Sequence, residues 1–258
     1  RIARRQRQMC IRDRSKGKND KQMNDLMEVR NVSVSFDGFK AINSLSWSIG
    51  YPELRAIIGP NGAGKTTLMD IISGKTKADS GKVLWDEVAI PLTQKSEYQI
   101  AKLGIGRKFQ RPTIFEEQSV EENIVVSLKN NRGFFAALTY KYTDKEKLRV
   151  GEIASTIKLT SLLSKKAGEL SHGQKQWLEI GMLLSQDPKL LLIDEPAAGM
   201  TTKERNMTVQ LLRDLSKTKS IIVVEHDMDF IRNLGCRVTV LHEGSVLAEG
   251  SIDHVSKN

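Results

Sequence analysis

Apolar and polar residues alternate along residues 27–36, which predicts a strand with one buried face. Further along, short apolar runs alternate with segments whose apolar residues recur at helical spacing. The other predicted strands are 45–49, 54–58, 82–85, 190–193, 220–224, 238–241 and 245–248. The predicted helices are 65–73, 174–185, 203–216 and 228–234. Apolar strands that alternate with helices predict a mainly parallel sheet covered on both faces.

Residues from about 94 to 165 differ from the rest of the chain, because they are rich in Gln, Lys and Glu and poor in β-branched runs. This composition favours helix, so we predict a mostly helical subdomain inserted into the sheet. The 258 residues, 39% of them apolar, suffice for one large domain with a subdomain. We therefore expect residues 25–258 to form a single domain.

The net charge of +9 is concentrated in the first 21 residues, which hold nine Lys and Arg against two Asp. That segment carries +7, so the remaining residues carry only +2. A nearly neutral body argues against nucleic acid as a partner, since nucleic-acid-binding proteins present a basic face. No run approaches the roughly 18 apolar residues of a membrane span, and Cys10 and Cys236 provide no disulfide framework. The composition predicts a cytoplasmic protein.

The basic segment at the N-terminus, residues 1–24, lacks apolar periodicity and is expected to be disordered. Residues 4–13, RRQRQMCIRD, resemble the translation of a transposase-based sequencing adapter, so we interpret this segment as non-native. The interpretation places the native start near Met23 or Met27. Residues 251–255 begin a predicted helix that stops at Asn258, which indicates a truncated C-terminus.

A glycine-rich loop at residues 59–66, GPNGAGKT, fits the phosphate-loop pattern G-x-x-x-x-G-K-[ST] between a predicted strand and a predicted helix. Its glycines let backbone N–H groups face phosphates, Lys65 reaches the β- and γ-phosphate oxygens, and Thr66 supplies an oxygen to Mg²⁺. The predicted nucleotide-binding residues are Gly59, Pro60, Asn61, Gly62, Ala63, Gly64, Lys65, Thr66 and Thr67. The loop predicts nucleotide binding and leaves the reaction open.

Two carboxylates, Asp194 and Glu195, follow the buried strand predicted at 190–193. At such a strand end an Asp can hold the Mg²⁺ shell, and an adjacent Glu can polarise the attacking water. Paired carboxylates also occur as helix caps, but the upstream phosphate loop favours the catalytic interpretation. His226 follows the next buried strand, which places it near the γ-phosphate. We predict Glu195 and His226 to be catalytic.

A short polar motif at residues 170–174, LSHGQ, lies ahead of that acidic strand end, where a helix is predicted to begin. The hydroxyl of Ser171 and the backbone N–H of Gly173 make an anion site at a helix N-terminus. A second anion site, far along the chain from the phosphate loop, suggests that two chains close on shared nucleotide.

These motifs together resemble those of ATP-binding subunits of ABC transporters, from about Met27 to the C-terminus. The resemblance implies an α/β fold, the P-loop NTPase cassette of ABC ATPases. Such a cassette has a mainly parallel core sheet, an antiparallel β subdomain and an inserted helical subdomain. The resemblance also implies ATP and Mg²⁺ as ligand and cofactor, with Thr66, Gln110 and Asp194 around the metal.

The segment around Ser171 resembles the signature motif of this family, with His172 where most members have Gly. The resemblance implies that Ser171, Gly173 and Gln174 contact ATP held on the phosphate loop of the opposite subunit. Residues 197–201 stand where the D-loop should be, but they lack its usual Asp. Communication between the two nucleotide sites is therefore the least supported of the implied properties.

Three further residues match family motifs. Gln110, which follows the strand-like stretch 104–109, resembles the Q-loop glutamine, which senses Mg²⁺ and couples to the membrane subunits. His226 resembles the switch histidine. Phe36, 29 positions before Lys65, resembles the aromatic residue that stacks on adenine, with Phe39 as its competitor. An ordinary core role at the end of a strand is the alternative for Phe36.

The runs 34–41, 170–177 and 195–201 resemble the branched-chain amino acid uptake group, and most of all its urea-type ATPase. This resemblance implies an ATPase on the cytoplasmic face of a membrane that drives urea uptake. Its implied partners are a second ATPase subunit, integral membrane permease subunits and, indirectly, an extracytoplasmic solute-binding protein. Residues 94–165 would carry the permease contact.

Several alternatives remain open at this point. One is a transporter of the same class that imports branched-chain amino acids or exports a lipid. Another is a soluble ABC ATPase that acts on ribosomes or DNA, although the chain has a single cassette and no sustained heptads. A phosphate-loop kinase does not explain residues 170–174 or His226.

Overall fold

The computed structural model describes residues 25–86, 88–108, 114–128 and 143–256. Its strands are β1 (Asp25–Phe36), β2 (Phe39–Gly50), β3 (Leu54–Ile58), β4 (Ser80–Trp85), β5 (Ile90–Pro91), β6 (Ile105–Lys108), β7 (Leu190–Asp194), β8 (Ser220–Val224), β9 (Arg237–His242) and β10 (Ser245–Gly250). Its helices are α1 (Lys65–Ser73), α2 (Glu97–Lys102), α3 (Val120–Ser127), α4 (Asp144–Thr156), α5 (His172–Leu184), α6 (Thr202–Leu215), α7 (Met228–Leu234) and α8 (Ile252–Val255). Short 3₁₀ turns lie at Leu92–Gln94, Thr160–Leu162 and Ala167–Glu169.

An antiparallel sheet contains four strands in the order β2-β1-β4-β5. β1 and β2 are joined by Asp37 and Gly38, whose φ angles are +48° and +83°, and a type I′ hairpin turn needs a positive φ at both positions. The alternating apolar residues of β1, such as Val32 and Val34, belong to the same buried cluster as residues of α1. The predicted strand with one buried face is confirmed.

The second sheet has six strands in the order β10-β9-β3-β8-β7-β6. Each neighbouring pair is parallel except β10 with β9. Alternate residues of β7 enter two different apolar clusters, Leu190 and Leu192 with α1, and Leu191 and Ile193 with α5 and α6. Helices therefore cover both faces of this sheet, and the predicted α/β architecture with a mainly parallel core sheet and an antiparallel β subdomain is confirmed.

The helical subdomain begins later than the predicted boundary near residue 94. Within the range 94–165, α2 is followed by β6, which pairs in parallel with β7 along all four of its residues. β6 lacks an apolar run because it contains Gly106, against which Pro188 packs, and two basic residues. The predicted start of the helical subdomain is therefore too early, because the predicted range includes β6, a strand of the core sheet. Among the described residues, the helices that follow β6 start with α3.

α3 and α4 pack on α5 around a cluster of apolar residues that includes Ile124, Ile153 and Trp177. α5 is also joined to the core sheet, because its buried Glu179 carboxylate lies 3.3 Å from the ammonium group of Lys108 in β6. This arrangement fixes α5, and with it the motif at residues 170–174, relative to the sheet.

Three predictions concern residues outside the described part of the chain. They are the disorder of residues 1–24, the Q-loop role of Gln110 and the early stop at Asn258. Among the residues that the structure does describe, no helix has the length and apolar content to cross a bilayer.

Candidate functional site

The glycine-rich loop connects β3, in the interior of the parallel sheet, to α1. Gly59, Gly62 and Gly64 have φ angles of +150°, +79° and +97°, a region that L-residues rarely adopt. At Gly64 an added Cβ would lie 2.6 Å from the carbonyl oxygen of Ala41, so no side chain fits there. The predicted residues on this loop and the first turn of α1 are Gly59, Pro60, Asn61, Gly62, Ala63, Gly64, Lys65, Thr66 and Thr67. The loop therefore has the backbone that the pattern predicts.

The N-terminus of α1 lacks a side-chain cap, since its N-cap residue is Gly64. By contrast, each of the helices α2 to α6 begins with a complete capping box built on Ser or Thr. The first N–H groups of a helix have no partner within the helix. Those of α1 can thus bind an anion at the loop, and a nucleotide phosphate suits this position.

The Lys65 ammonium group lies over the loop itself. Its Nζ donates hydrogen bonds to the carbonyl oxygens of Gly59 at 2.7 Å and Pro60 at 2.9 Å. An ammonium group has three N–H donors, so a third donor is left for an oxygen of a phosphate in the loop. The geometry suits the predicted role of Lys65.

Of the predicted magnesium-binding residues, Thr66 and Asp194 lie in the described part of the chain. Asp194 ends β7 and is 4% exposed, and its Cα pairs with Val224 of β8, which in turn pairs with Ile57 of β3. Two strand spacings therefore place the Asp194 Cα about 10 Å from the Cα of Ile57, two residues before the phosphate loop.

The donor set at this edge of the sheet fits Mg²⁺ better than a metal held by protein alone. No group of three or more His, Cys, Asp or Glu side chains forms a metal cluster among the described residues. Mg²⁺ is usually bound by one or two protein oxygens together with phosphate and water. A threonine hydroxyl and a single aspartate beside a phosphate loop provide that set.

The predicted catalytic pair is brought together at the ends of β7 and β8. His226 Nδ1 lies 3.6 Å from Glu195 Oε1, and the two side chains are 70% and 42% exposed. Glu195 has a φ angle of +47°, a left-handed conformation that costs a non-glycine residue free energy and is enriched at functional sites. Both groups therefore face solvent at the edge of the sheet that carries Asp194.

Glu225, to which the sequence alone gives no role, binds the backbone of both segments that carry this pair. Its side chain is 2% exposed. Oε1 accepts a hydrogen bond from the N–H of Ala197 at 2.9 Å, and Oε2 accepts one from the N–H of His226 at 3.1 Å. Burial raises the pKa of this carboxyl group, although the hydrogen bonds from the backbone oppose the shift.

Ser171, Gly173 and Gln174 lie at the N-terminus of α5, where Ser171 is the N-cap residue. The Ser171 hydroxyl accepts a hydrogen bond from the N–H of Gln174 at 3.2 Å and donates one to Glu204 Oε1 at 2.6 Å. An added Cβ on Gly173 would lie 2.7 Å from the Glu204 carboxylate. A carboxylate of the same chain thus occupies the predicted anion site.

Glu204 is a second residue that sequence reasoning missed. It closes the capping box of α6, because its Oε2 accepts hydrogen bonds from the N–H of Thr201 at 3.0 Å and from its hydroxyl at 2.8 Å. The hydrogen bond from Ser171, together with those from Thr201, holds the pKa of Glu204 below its usual range. The pattern T-x-x-E at 201–204 was a readable capping signal, but its contact with Ser171 was not.

Residues 197–201 lie between Glu195 and α6, at the place predicted for the D-loop. His172 packs against this segment, since an added Cβ on Gly199 would lie 3.2 Å from its ring. His172 Nε2 also lies 3.4 Å from Gln176 Nε2. The histidine that replaces the usual glycine therefore contacts the segment that lacks the usual aspartate.

Phe36 and Phe39 pair directly across the β1–β2 hairpin, so both side chains lie on the same face of the sheet. They are 48% and 63% exposed. Phe39 lines a depression beside the phosphate loop together with Asn61 and His242. The prediction of Phe36 as the adenine-stacking residue stays a prediction, and the geometry keeps Phe39 as its competitor.

Replacing Glu204 by Ala should lower the stability of the fold by about 1 kcal/mol, the usual cost of losing a helix cap. Because the pKa of Glu204 is lowered in the folded state, its carboxylate stabilises the fold fully above the unfolded pKa, about 4.3. This stabilisation is lost as the pH falls through the folded pKa. Urea unfolding at pH 7 and at pH 4 measures this difference, which should shrink at pH 4. A difference that grows at pH 4 would contradict the prediction.

The comparisons with known proteins agree with this geometry. The family model described as "ABC transporter" matches residues 42–198. A probable branched-chain amino acid transport ATP-binding protein LivG of Methanocaldococcus jannaschii is 34% identical over 245 residues, which cover 92% of this chain and 95% of that protein. The LivG protein of Escherichia coli K12, a high-affinity branched-chain amino acid transport ATP-binding protein, is 30% identical and covers 90% of this chain and 94% of its own length.

Solved structures show the same likeness. A nucleotide-free ATP-binding cassette from an ABC transporter is 31% identical, with a TM-score of 0.78, and the match covers 91% of this chain and 96% of that one. The ADP conformation of such a cassette is 31% identical with a TM-score of 0.77 at the same coverage. The chain therefore belongs to the ABC transporter family and is an ATP-hydrolysing subunit of the branched-chain amino acid (LivG-like) group.

Proposed function

We propose that this ATPase drives the import of branched-chain amino acids through integral membrane partners. The observation that carries the proposal is the meeting of an uncapped phosphate-loop helix, Asp194 and the Glu195–His226 pair at one edge of the parallel sheet. The choice of solute is supported by relatives whose names state branched-chain amino acid transport. The urea specificity expected from the sequence has no such support.

The residues of the chain divide the chemistry of hydrolysis between them. Backbone N–H groups of the loop and Lys65 bind the β- and γ-phosphates. Thr66 and Asp194 would hold Mg²⁺, which would supply positive charge to the phosphate oxygens. In this proposal Glu195 accepts a proton from the attacking water, and His226, whose Nδ1 lies 3.6 Å from Glu195 Oε1, contacts the γ-phosphate.

The signature segment acts in trans in this proposal. Ser171 has one hydroxyl proton, which it donates to Glu204, so it must break that hydrogen bond before it can donate to a phosphate of the opposite subunit. The hydrogen bonds of the described residues do not join Ser171 to the phosphate loop of its own chain. This separation supports a second ATPase subunit as the partner.

A groove between the core sheet and the helical part supports contact with membrane subunits. It has a volume of about 620 Å³ and is lined by residues of α2 and β6 and by the ends of α3 and α5. Tyr98, 67% exposed, contributes apolar surface to it, whereas the Arg107 side chain in its lining is 6% exposed and paired with Asp70. The groove lies partly within residues 94–165, where we place the permease contact on the cytoplasmic face of the membrane.

Uptake measurements in a host from which the gene is deleted test this proposal. Import of radiolabelled leucine should fall after deletion and recover with the wild-type gene, but not with a Lys65→Ala variant that weakens phosphate binding. The chain should also co-purify with integral membrane proteins. Unchanged uptake of every solute tested, in a strain that lacks the protein, would contradict an importer role and favour a soluble ATPase.

Urea is the second candidate solute. It is favoured by His172 and by the run at 195–201, which resemble the urea-type ATPase and contact each other through Gly199. A loss of radiolabelled urea uptake with leucine uptake intact, in the same deletion strain, would select this candidate over the first.

A further inference from the structure

Glu195, one member of the catalytic pair, lies on a strained turn. The residue after β7, Glu195, has the left-handed φ of +47°, and its N–H donates a hydrogen bond to the carbonyl oxygen of Val224 at 2.9 Å. Its own carbonyl oxygen accepts a hydrogen bond from Ala198 at 3.3 Å, a long contact. A strained conformation persists only where its surroundings hold it, so further contacts must fix this turn.

The Glu225 carboxylate provides such a contact. One of its oxygens binds the N–H of Ala197, within the turn that starts at Glu195, and the other binds the N–H of His226. The two oxygens of one carboxylate belong to a single rigid, planar group. Two segments that are far apart in sequence, one carrying each member of the pair, are therefore joined through a single planar group.

We infer that Glu225 is a positioning residue, which sets the placement of Glu195 relative to His226 without touching the substrate. This inference rests on the catalytic roles proposed above for those two residues. Glu225 is 2% exposed, so its carboxylate acts through the backbone groups that it binds. A displacement of about 1 Å at a reacting group can reduce turnover a hundredfold, so small shifts of this turn matter.

The cost of burying Glu225 supports a role beyond packing. Burial of a carboxylate disfavours its charged form, and the raised pKa of Glu225 reflects this. Among the described residues no Lys or Arg forms an ion pair with it. A glutamine of nearly the same shape would avoid the buried charge, but its NH₂ group cannot accept a hydrogen bond. Only the carboxylate accepts both N–H groups.

The test compares Glu225→Gln with the wild type. One of the two N–H groups then faces an amide donor, so kcat for ATP hydrolysis should fall ten- to a hundredfold, about the cost of a misplaced reacting group. The KM for ATP should stay within about twofold, because the phosphate loop is unchanged. The matched control is Glu146→Gln, which alters a carboxylate that accepts the N–H of Thr143 at 3.0 Å in the helical part. It should leave both constants unchanged.

A double-mutant comparison separates positioning from a general structural effect. If Glu225 acts through the catalytic pair, Glu225→Gln should cause little further loss in a His226→Ala background, since effects of residues that act as a unit are not additive. A purely structural role predicts the same fold-loss in both backgrounds. Equal losses, or a KM that rises while kcat is kept, would overturn the inference.

Failure of the inference can be told apart from failure of the proposed catalytic roles. If the Glu195→Gln and His226→Ala variants both keep the wild-type kcat, the proposed catalytic roles fail, and the inference about Glu225 loses its basis. Normal dependence on both, with full activity in Glu225→Gln, would overturn the inference alone.

Discussion

Glu195→Gln should lower ATP turnover by about a hundredfold or more, the usual contribution of a general base, while ATP binding is retained. The amide keeps the shape of the side chain at the end of β7, but it cannot accept a proton from water. Lys65 and the N–H groups of the phosphate loop are unchanged, so the nucleotide should bind as before. We expect the variant to accumulate as an ATP-bound dimer.

Two measurements check this prediction, phosphate release at saturating ATP and equilibrium binding of a fluorescent ATP analogue. The control is Glu152→Gln, an exposed glutamate of α4 whose ion pair with Arg149 lies on the surface, and it should leave both unchanged. Full turnover in Glu195→Gln would assign the general base to another residue. Loss of nucleotide binding would mean that Glu195 supports the loop rather than the chemistry.

The central strands and the phosphate-loop helix were predictable because their signals are local. The strand at 54–58 and the helices at 65–73 and 228–234 agree with the structure at both ends. Each combines an apolar run or helical period with an adjacent glycine or capping residue. Strand β6 has a weaker signal, a strand-like stretch at 104–109, since its four residues include a glycine and two basic side chains. Its position is set by pairing with β7, which no local pattern reports.

The residues of the candidate site can likewise be separated into those that the sequence predicted and those that it did not. The loop at 59–66 is a contiguous motif, and Asp194, Glu195 and His226 follow buried strands that parallel topology brings to one edge. Glu225 and Glu204 were visible as residues but not as partners. Glu225 binds a backbone group 28 positions earlier, and Ser171 binds a carboxylate 33 positions later. Contacts between residues so far apart in sequence depend on tertiary packing. The hydrogen bond that already engages the Ser171 hydroxyl could therefore be found only in the structure.

Arg55→Met should destabilise the fold by about 3–5 kcal/mol, the cost of breaking a buried ion pair by removing one partner. Arg55 in β3 is 2% exposed and contacts Glu53 at 2.6 Å, Glu249 at 2.5 Å and Thr239 at 2.9 Å. Its guanidinium group also lies 5.5 Å from the ring of Trp47. Because methionine supplies volume without charge, it leaves both carboxylates without their buried cation.

The matched control for this prediction is Arg237→Met, which removes the other arginine beside Glu249. That contact is 3.4 Å long and the Arg237 side chain is 56% exposed, so its loss should cost less than about 1 kcal/mol. Urea unfolding of both variants at pH 7 measures the difference. If both variants lose the same free energy of unfolding, the burial of Arg55 does not determine how much this ion-pair network stabilises the fold. A large loss for Arg55 alone would show that it fastens β3, which feeds the phosphate loop, to β9, β10 and the Trp47 face of the antiparallel sheet.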